Sequence, residues 1–166
     1  MPVQTSYSVY HDAKYAGAVN SVNPYATVSK LNTDTVTIPF GYGVVADGDN
    51  GMQLPTNAST AADFIGISMR ELNRAYQDGE IFGAPVGQDH AVVTHGRIAG
   101  VAGVTVSNRD DVYLIIGDGT TPNALLGRFS NAAGAGVTAA VQITGAKFLE
   151  GGDNGDPVWI SLGLRG

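Results

Sequence analysis

His11, His90 and His95 are the first candidates for chemistry, because imidazole serves as a general base or a metal ligand near neutral pH. His90 and His95 stand five apart, an odd separation that points the two rings to opposite faces of one strand; Asp89 diverges from His90 for the same reason. With no H-x-x-x-H companion, they read as surface or loop histidines. Gly41-Tyr42-Gly43-Val44-Val45-Ala46 has the letters of a dinucleotide-binding G-x-G-x-x-A turn. That turn needs a helix N-terminus to receive the pyrophosphate, whereas here Val44-Val45 continues as strand and Asp47-Gly48 turns soon after. Acidic loops at Asp47/Asp49, Asp110-Asp111 and Asp153/Asp156 put hard oxygen ligands on a glycine-rich backbone. Counting from Asp47, however, the sixth and twelfth positions of a calcium loop hold Met52 and Ala58 instead of Gly and Glu. Turn chemistry accounts for these loops, with calcium binding as the alternative. No G-x-S-x-G, phosphate-loop or H-E-x-x-H pattern occurs, there is no cysteine, and glutamate is confined to Glu71, Glu80 and Glu150. The expectation is therefore a non-enzyme with no catalytic residue, no metal and no cofactor.

The elements that position these residues read as strands. A chain of 166 residues is long enough to bury roughly 70% of its unfolded surface in one core. Its 23 glycines and 7 prolines stay below a disordered composition, and its charged fraction of 14% is far below that of a helical bundle. Period-2 stretches recur: Thr35–Ile38, Gly43–Ala46, Phe64–Met69, Ala91–His95 turning at Gly96 into Arg97–Ala99, Val104–Val106, Val112–Ile116, Val137–Thr144, Ala146–Glu150 across Gly145, and Val158–Leu162. Gly, Asn, Asp and Pro punctuate them, so an all-β fold of roughly ten short strands is predicted, either a compact antiparallel β-barrel or a jelly-roll-like sandwich. Only Ser68-Met69-Arg70-Glu71, a capping-box pattern before Leu72–Tyr76, suggests a helix.

Residues 1–33 differ from residues 34–166, which carry the β domain. Tyr7, Tyr10, Tyr15 and Tyr25 are spread among small polar residues with no sustained period. An irregular N-terminal arm whose tyrosines anchor a partner is one reading, since each ring buries a large area at low rotamer cost. An ordinary first strand plus coil packed on its own domain is the other. Nine basic against 15 acidic residues give a net charge of −6, which opposes nucleic-acid binding. No run approaches the ~18 apolar residues of a membrane helix, and no basic-then-apolar leader opens the chain. A soluble protein made in a reducing cytosol, with neither nucleic-acid nor membrane partner, is expected.

In order along the chain stand Tyr15-Ala16-Gly17, Ile38-Pro39-Phe40-Gly41 before Val44-Val45, Phe64-Ile65-Gly66-Ile67 before Arg70-Glu71, and Gly96-Arg97-Ile98. Asp110-Asp111-Val112-Tyr113-Leu114 before a Gly-Asp-Gly turn, Gly127-Arg128-Phe129 and Trp159-Ile160-Ser161-Leu162 follow. In this order and spacing the chain resembles the structural cement, or head-decoration, proteins on capsids of tailed double-stranded-DNA phages. The loop Asp153–Asp156 and the stretch Asn131–Gly136 depart from the pattern. The resemblance implies a virion structural protein, made in the host cytoplasm, that joins the outer capsid surface after the shell expands. It further implies seating on local two-fold or three-fold axes, bridging of major capsid protein subunits, and self-association as a dimer or trimer. No catalytic residues come with it. Docking by the arm and by strand addition at exposed edges is the expected mechanism. The competing class is an all-β carbohydrate-binding or adhesion module, which would expose Trp159 and several tyrosines in a groove; an all-β enzyme comes third.

Overall fold

In Val44-Val45 and Val92-Val93, neighbouring side chains on a strand point to opposite faces, so both faces of those strands must be buried. The computed structural model, which describes residues 14–71, 80–120 and 122–163, meets this with two cores that share a wall. The strands are β1 (Ala26–Asn32), β2 (Ile38–Pro39), β3 (Gly43–Asp47), β4 (Gly51–Gln53), β5 (Phe64–Ser68), β6 (Gly83–Ala84), β7 (Asp89–Val101), β8 (Asp111–Ile115), β9 (Phe129–Ser130), β10 (Ala140–Phe148) and β11 (Pro157–Leu162). A 3-10 turn at Gly136–Thr138 is the sole helical element among the described residues. Val44 and Val92 join Ile38, Met52 and Ala84 in the smaller core. Val45 and Val93 face the larger one, with Ile67, Ile98, Leu114, Phe129, Phe148 and Ile160.

Nine strands form one sheet in the order β1-β4-β3-β5-β7-β11-β10-β8-β9, and a further β1–β7 pairing closes the first five into a small barrel. The rest of the sheet also returns on itself, because Phe129 bridges Ala102 and the Gly103 N–H donates to the Phe129 carbonyl at 2.7 Å. β2 and β6 make a separate two-stranded sheet. The architecture is the all-β barrel expected, antiparallel except that β1 runs parallel to β4 and the Ala102–Phe129 bridge is parallel; in the small barrel the β1–β4 pair is the one exception. A ring of five strands forces this, since directions alternating around an odd-membered ring must meet once in the same sense.

Two stretches that read as strand–turn–strand are instead single bulged strands. In β7, Val93 faces the larger core before Gly96 and Ile98 faces it afterwards, so the inward side changes parity at Gly96, whose φ is +112°. In β10, Ile143 and then Ala146 and Phe148 point inward on either side of Gly145, at φ +83°. A positive-φ bulge lets one strand keep facing the same core on both sides of the extra residue.

The segment 1–33, expected as an irregular arm, contains β1. Residues Ala26–Leu31 pair with β7, yet Ala26–Ser29 are exposed, so the strand is held by its ladder and carries no alternating apolar signal. Before it, the Gly17 N–H donates to Ala99 C=O (2.7 Å), the Ala99 N–H to Ala18 C=O (2.8 Å) and the Asn20 N–H to Arg97 C=O (3.0 Å), seating residues 17–20 along β7. Tyr7, Tyr10 and His11 lie outside the described residues, as does the expected helix beyond Glu71.

A Cβ at Gly96 would come within 2.6 Å of Tyr25 Cβ and 2.9 Å of Pro24 O, whereas one at Gly145 meets nothing within 4 Å. Gly145→Ala is thus expected to cost only left-handed strain, about 1–2 kcal/mol, and Gly96→Ala about 1–3 kcal/mol more. At roughly 2–4 °C per kcal/mol, thermal melts of the two variants read the difference directly.

Candidate functional site

One constellation has the outline of a hydrolytic triad. Ser68 ends β5 and His90 is the second residue of β7; their Oγ and Nε2 atoms lie 3.0 Å apart, while His90 Nδ1 is 3.3 Å from Glu71 Oε1. The imidazole stacks on Phe40 with ring centroids 5.5 Å apart. His90 is therefore not the surface or loop residue that its sequence context suggested. It points inward on the buried parity of β7, while His95, five residues on, is exposed on the opposite side. Ser68 is 0% and His90 1% exposed, so no acyl group reaches the hydroxyl. Glu71 also accepts the Ala91 N–H at 3.3 Å. The trio fastens β5 to β7.

The acidic loops close turns. Asp153 N–H donates to Asp156 Oδ2 (3.0 Å), and Thr105 Oγ1 to Asp153 Oδ1 (3.0 Å). Asp110 Oδ2 accepts the Asn131 amide and the Ser107 N–H, both at 2.9 Å; the Asn131 amide first, then Ser107, hold its carboxyl below the usual range. Asp63 is lowered likewise by the Thr60 N–H and hydroxyl. No cluster of three or more His, Asp or Glu with metal-site geometry occurs among the described residues. Gly43-Val44-Val45-Ala46 is strand β3, so the fingerprint-like hexapeptide has no helix behind it. A cleft of about 360 Å³, lined by Pro55, Asn57, Ile116, Asn123 and Leu126 among others, holds no titratable or aromatic side chain.

What remains is surface. Tyr15 is 55% exposed, with the Arg70 guanidinium 4.7 Å from its ring centroid. Tyr25 is 44% and Val22 89% exposed. Tyr15 and Tyr25 flank the segment that Gly17 and Asn20 tie to β7. On β1, Leu31 N–H donates to Asn50 C=O and Asn32 N–H to Gln88 C=O, so the odd-numbered residues face away from β7. Thr27 and Ser29 thereby present backbone groups at an edge that no described strand covers. Sequence reasoning missed Arg70 as the cation over Tyr15, and no spacing could have signalled it.

Fold and surface together define a stiff all-β module that offers edges and exposed aromatic rings in place of a reactive cavity. Residues 3–163 match the family described as Structural cement protein (E217 gp24/Pam3 gp6), so the chain belongs to the structural cement proteins of phages, a virion structural class. A chain from the capsid of Myoviridae phage XM1 shares the fold at a TM-score of 0.70 and 19% identity, covering 99% of both chains. The N base of head fiber gp8.5 of bacteriophage phi29 gives a TM-score of 0.39 at 10% identity over 84% of this chain and 94% of that one. No curated protein matches.

Ser68→Ala removes one partner of a buried imidazole and is expected to cost about 1–3 kcal/mol, read as a fall of several degrees in Tm, and the wild-type protein is expected to hydrolyse activated esters no faster than buffer. Because the Asp110 carboxyl is lowered in the folded state, its contribution is present above the ordinary carboxylate pKa of about 3.9 and is lost as pH falls through the lower folded value. Melts between about pH 5 and pH 2 should therefore show a shallower acid slope for Asp110→Asn than for wild type.

Proposed function

We propose that the protein binds the outer surface of a phage capsid and cements it by bridging neighbouring major capsid protein subunits. Membership of the structural cement family over residues 3–163 is the observation that carries this reading. Its physical support is the exposure of Tyr15, Val22, Tyr25 and the β1 edge, and Tyr7 and Tyr10 are proposed as further anchors from the sequence alone. Strand addition at Thr27 and Ser29 would give main-chain affinity, and the aromatic rings would supply anchors. Self-association as a dimer or trimer on the shell multiplies the contacts of each copy, and later contacts form at high effective concentration. Neither nucleic acid nor membrane enters the reading: the net charge is −6, and no helix among the described residues is long and apolar enough to cross a bilayer. A carbohydrate-binding module draws no support, since Trp159, the sole tryptophan, is part-buried in β11 and the 360 Å³ cleft offers no ring for a sugar to stack on.

Cryo-electron microscopy of shells with and without the protein tests the reading. Density spanning subunit boundaries is expected, and density confined to one subunit or absent from the outer face refutes bridging. Deleting residues 1–13, or changing Tyr15 and Tyr25 to Ser together, is expected to lower occupancy at least about tenfold. Unchanged occupancy would remove the tyrosines from the interface.

A further inference from the structure

Most described cations have a partner within the chain. Lys14 pairs with Glu150 and Lys147 with Asp111, Lys30 reaches the Asp49 carbonyl, Arg70 covers Tyr15, and Arg128 bonds the Tyr42 hydroxyl and Asn154. Arg109 is exposed to water. Arg97 differs: it is part-buried on β7, its Nε is sealed from solvent, and no acceptor among the described residues bonds that Nε. Directly across the ladder stands Ser161 of β11, 2% exposed, whose hydroxyl is likewise buried without a partner. A guanidinium N–H that only donates and a hydroxyl that both donates and accepts are thus left unsatisfied across one ladder pair, and each is costly.

Arg97 lines a cleft of about 170 Å³ together with Asn23, Pro24, His95 and Gly96. Every polar side chain there can donate a hydrogen bond, and no acid is among them, in a chain that carries 15. The cleft is too small for a nucleotide or a sugar and suits the end of one side chain. Exposed Tyr25, packed against Gly96, and exposed Val22 stand beside it in the segment that contributes Asn23 and Pro24. An arginine beside an exposed aromatic ring is the usual composition of an energetic centre in a protein interface. A planar guanidinium with neighbouring donors matches a planar two-oxygen anion.

We propose that this cleft is a carboxylate-binding site, and that its ligand on the particle is an Asp or Glu side chain of the capsid subunit. The identity of the ligand, though not the site itself, rests on the docking function proposed above.

The test has two arms. In the first, the isotope-labelled full chain is titrated with sodium acetate against sodium chloride at equal ionic strength. Saturable shifts of the Arg97 Nε–Hε and Asn23 amide resonances are expected with acetate alone, with the Asn23 response lost in Arg97→Gln; no saturable shift overturns the site. In the second, Arg97→Gln and Arg97→Lys are bound to shells lacking the protein. Both are expected to bind at least about tenfold more weakly than wild type, Lys included because it keeps the charge but loses the fork. Wild-type shell affinity in both variants, alongside an intact acetate response, overturns the capsid carboxylate as ligand. Failure of the wild-type protein itself to bind shells overturns the docking reading and the ligand assignment with it, whereas the site still stands or falls on acetate. Melting curves separate loss of binding from loss of fold, and Arg97→Lys preserves the test should the Gln variant unfold.

Discussion

The structure depends on β7 having both edges occupied along its length. Thirteen residues of buried backbone can be accommodated only if each N–H and C=O finds a partner, and β7 finds them in β1, β5, β11, the Gly41 carbonyl and the Gly17–Asn20 segment. Barrel closure follows from this requirement, since β1 must come round to meet residues 89–95. So does the placement of the exposed groups. Tyr25 lies where the chain passes over Gly96, Arg97 follows that bulge, and Tyr15 stands two residues before the first bond to Ala99. The backbone that carries these groups is tied into the same ladder as the core, and a backbone already held loses little conformational entropy on binding.

The Ser68–His90–Glu71 trio shows how little side-chain geometry decides alone. Distances of 3.0 and 3.3 Å would suit a nucleophile, its base and an orienting acid. Burial of the serine and the imidazole turns the same arrangement into a polar fastening between two strands. A buried network of this kind contributes specificity of packing when its members are satisfied, and here it fixes the register of Ser68 opposite Val92.

Much of the fold was legible because burial on both faces leaves a local trace. Val44-Val45, Phe64–Ile67, Val112–Ile115 and Val158–Leu162 all fall in strands close to their expected bounds. β1, β4, β6 and β9 were not legible. They are short or exposed, and what makes them strands is a partner far away in sequence, as Gly51 is to Leu31 and Ser130 to Tyr113. The parity argument for His90 and His95 holds, but it says which rings diverge and not which face is the core. Arg97 carried no signal at all, because a cation at an alternating position is normally a solvated one; only the tertiary placement of Ser161 and residues 23–24 sets it apart.

A molecule with a net charge of −6 that must hold to another surface faces a general difficulty, since diffuse charge hinders every acidic approach. Spreading basic residues over the surface would relieve this, but it would also promote adhesion to nucleic acid, which is abundant while a phage assembles. Confining attraction to a few recessed or stacked cations, such as Arg97 in its cleft and Arg70 over Tyr15, avoids that exchange. Each site is weak in water and gains strength only when a partner surface excludes solvent around it. On the docking proposed above, affinity would arise where shape already fits.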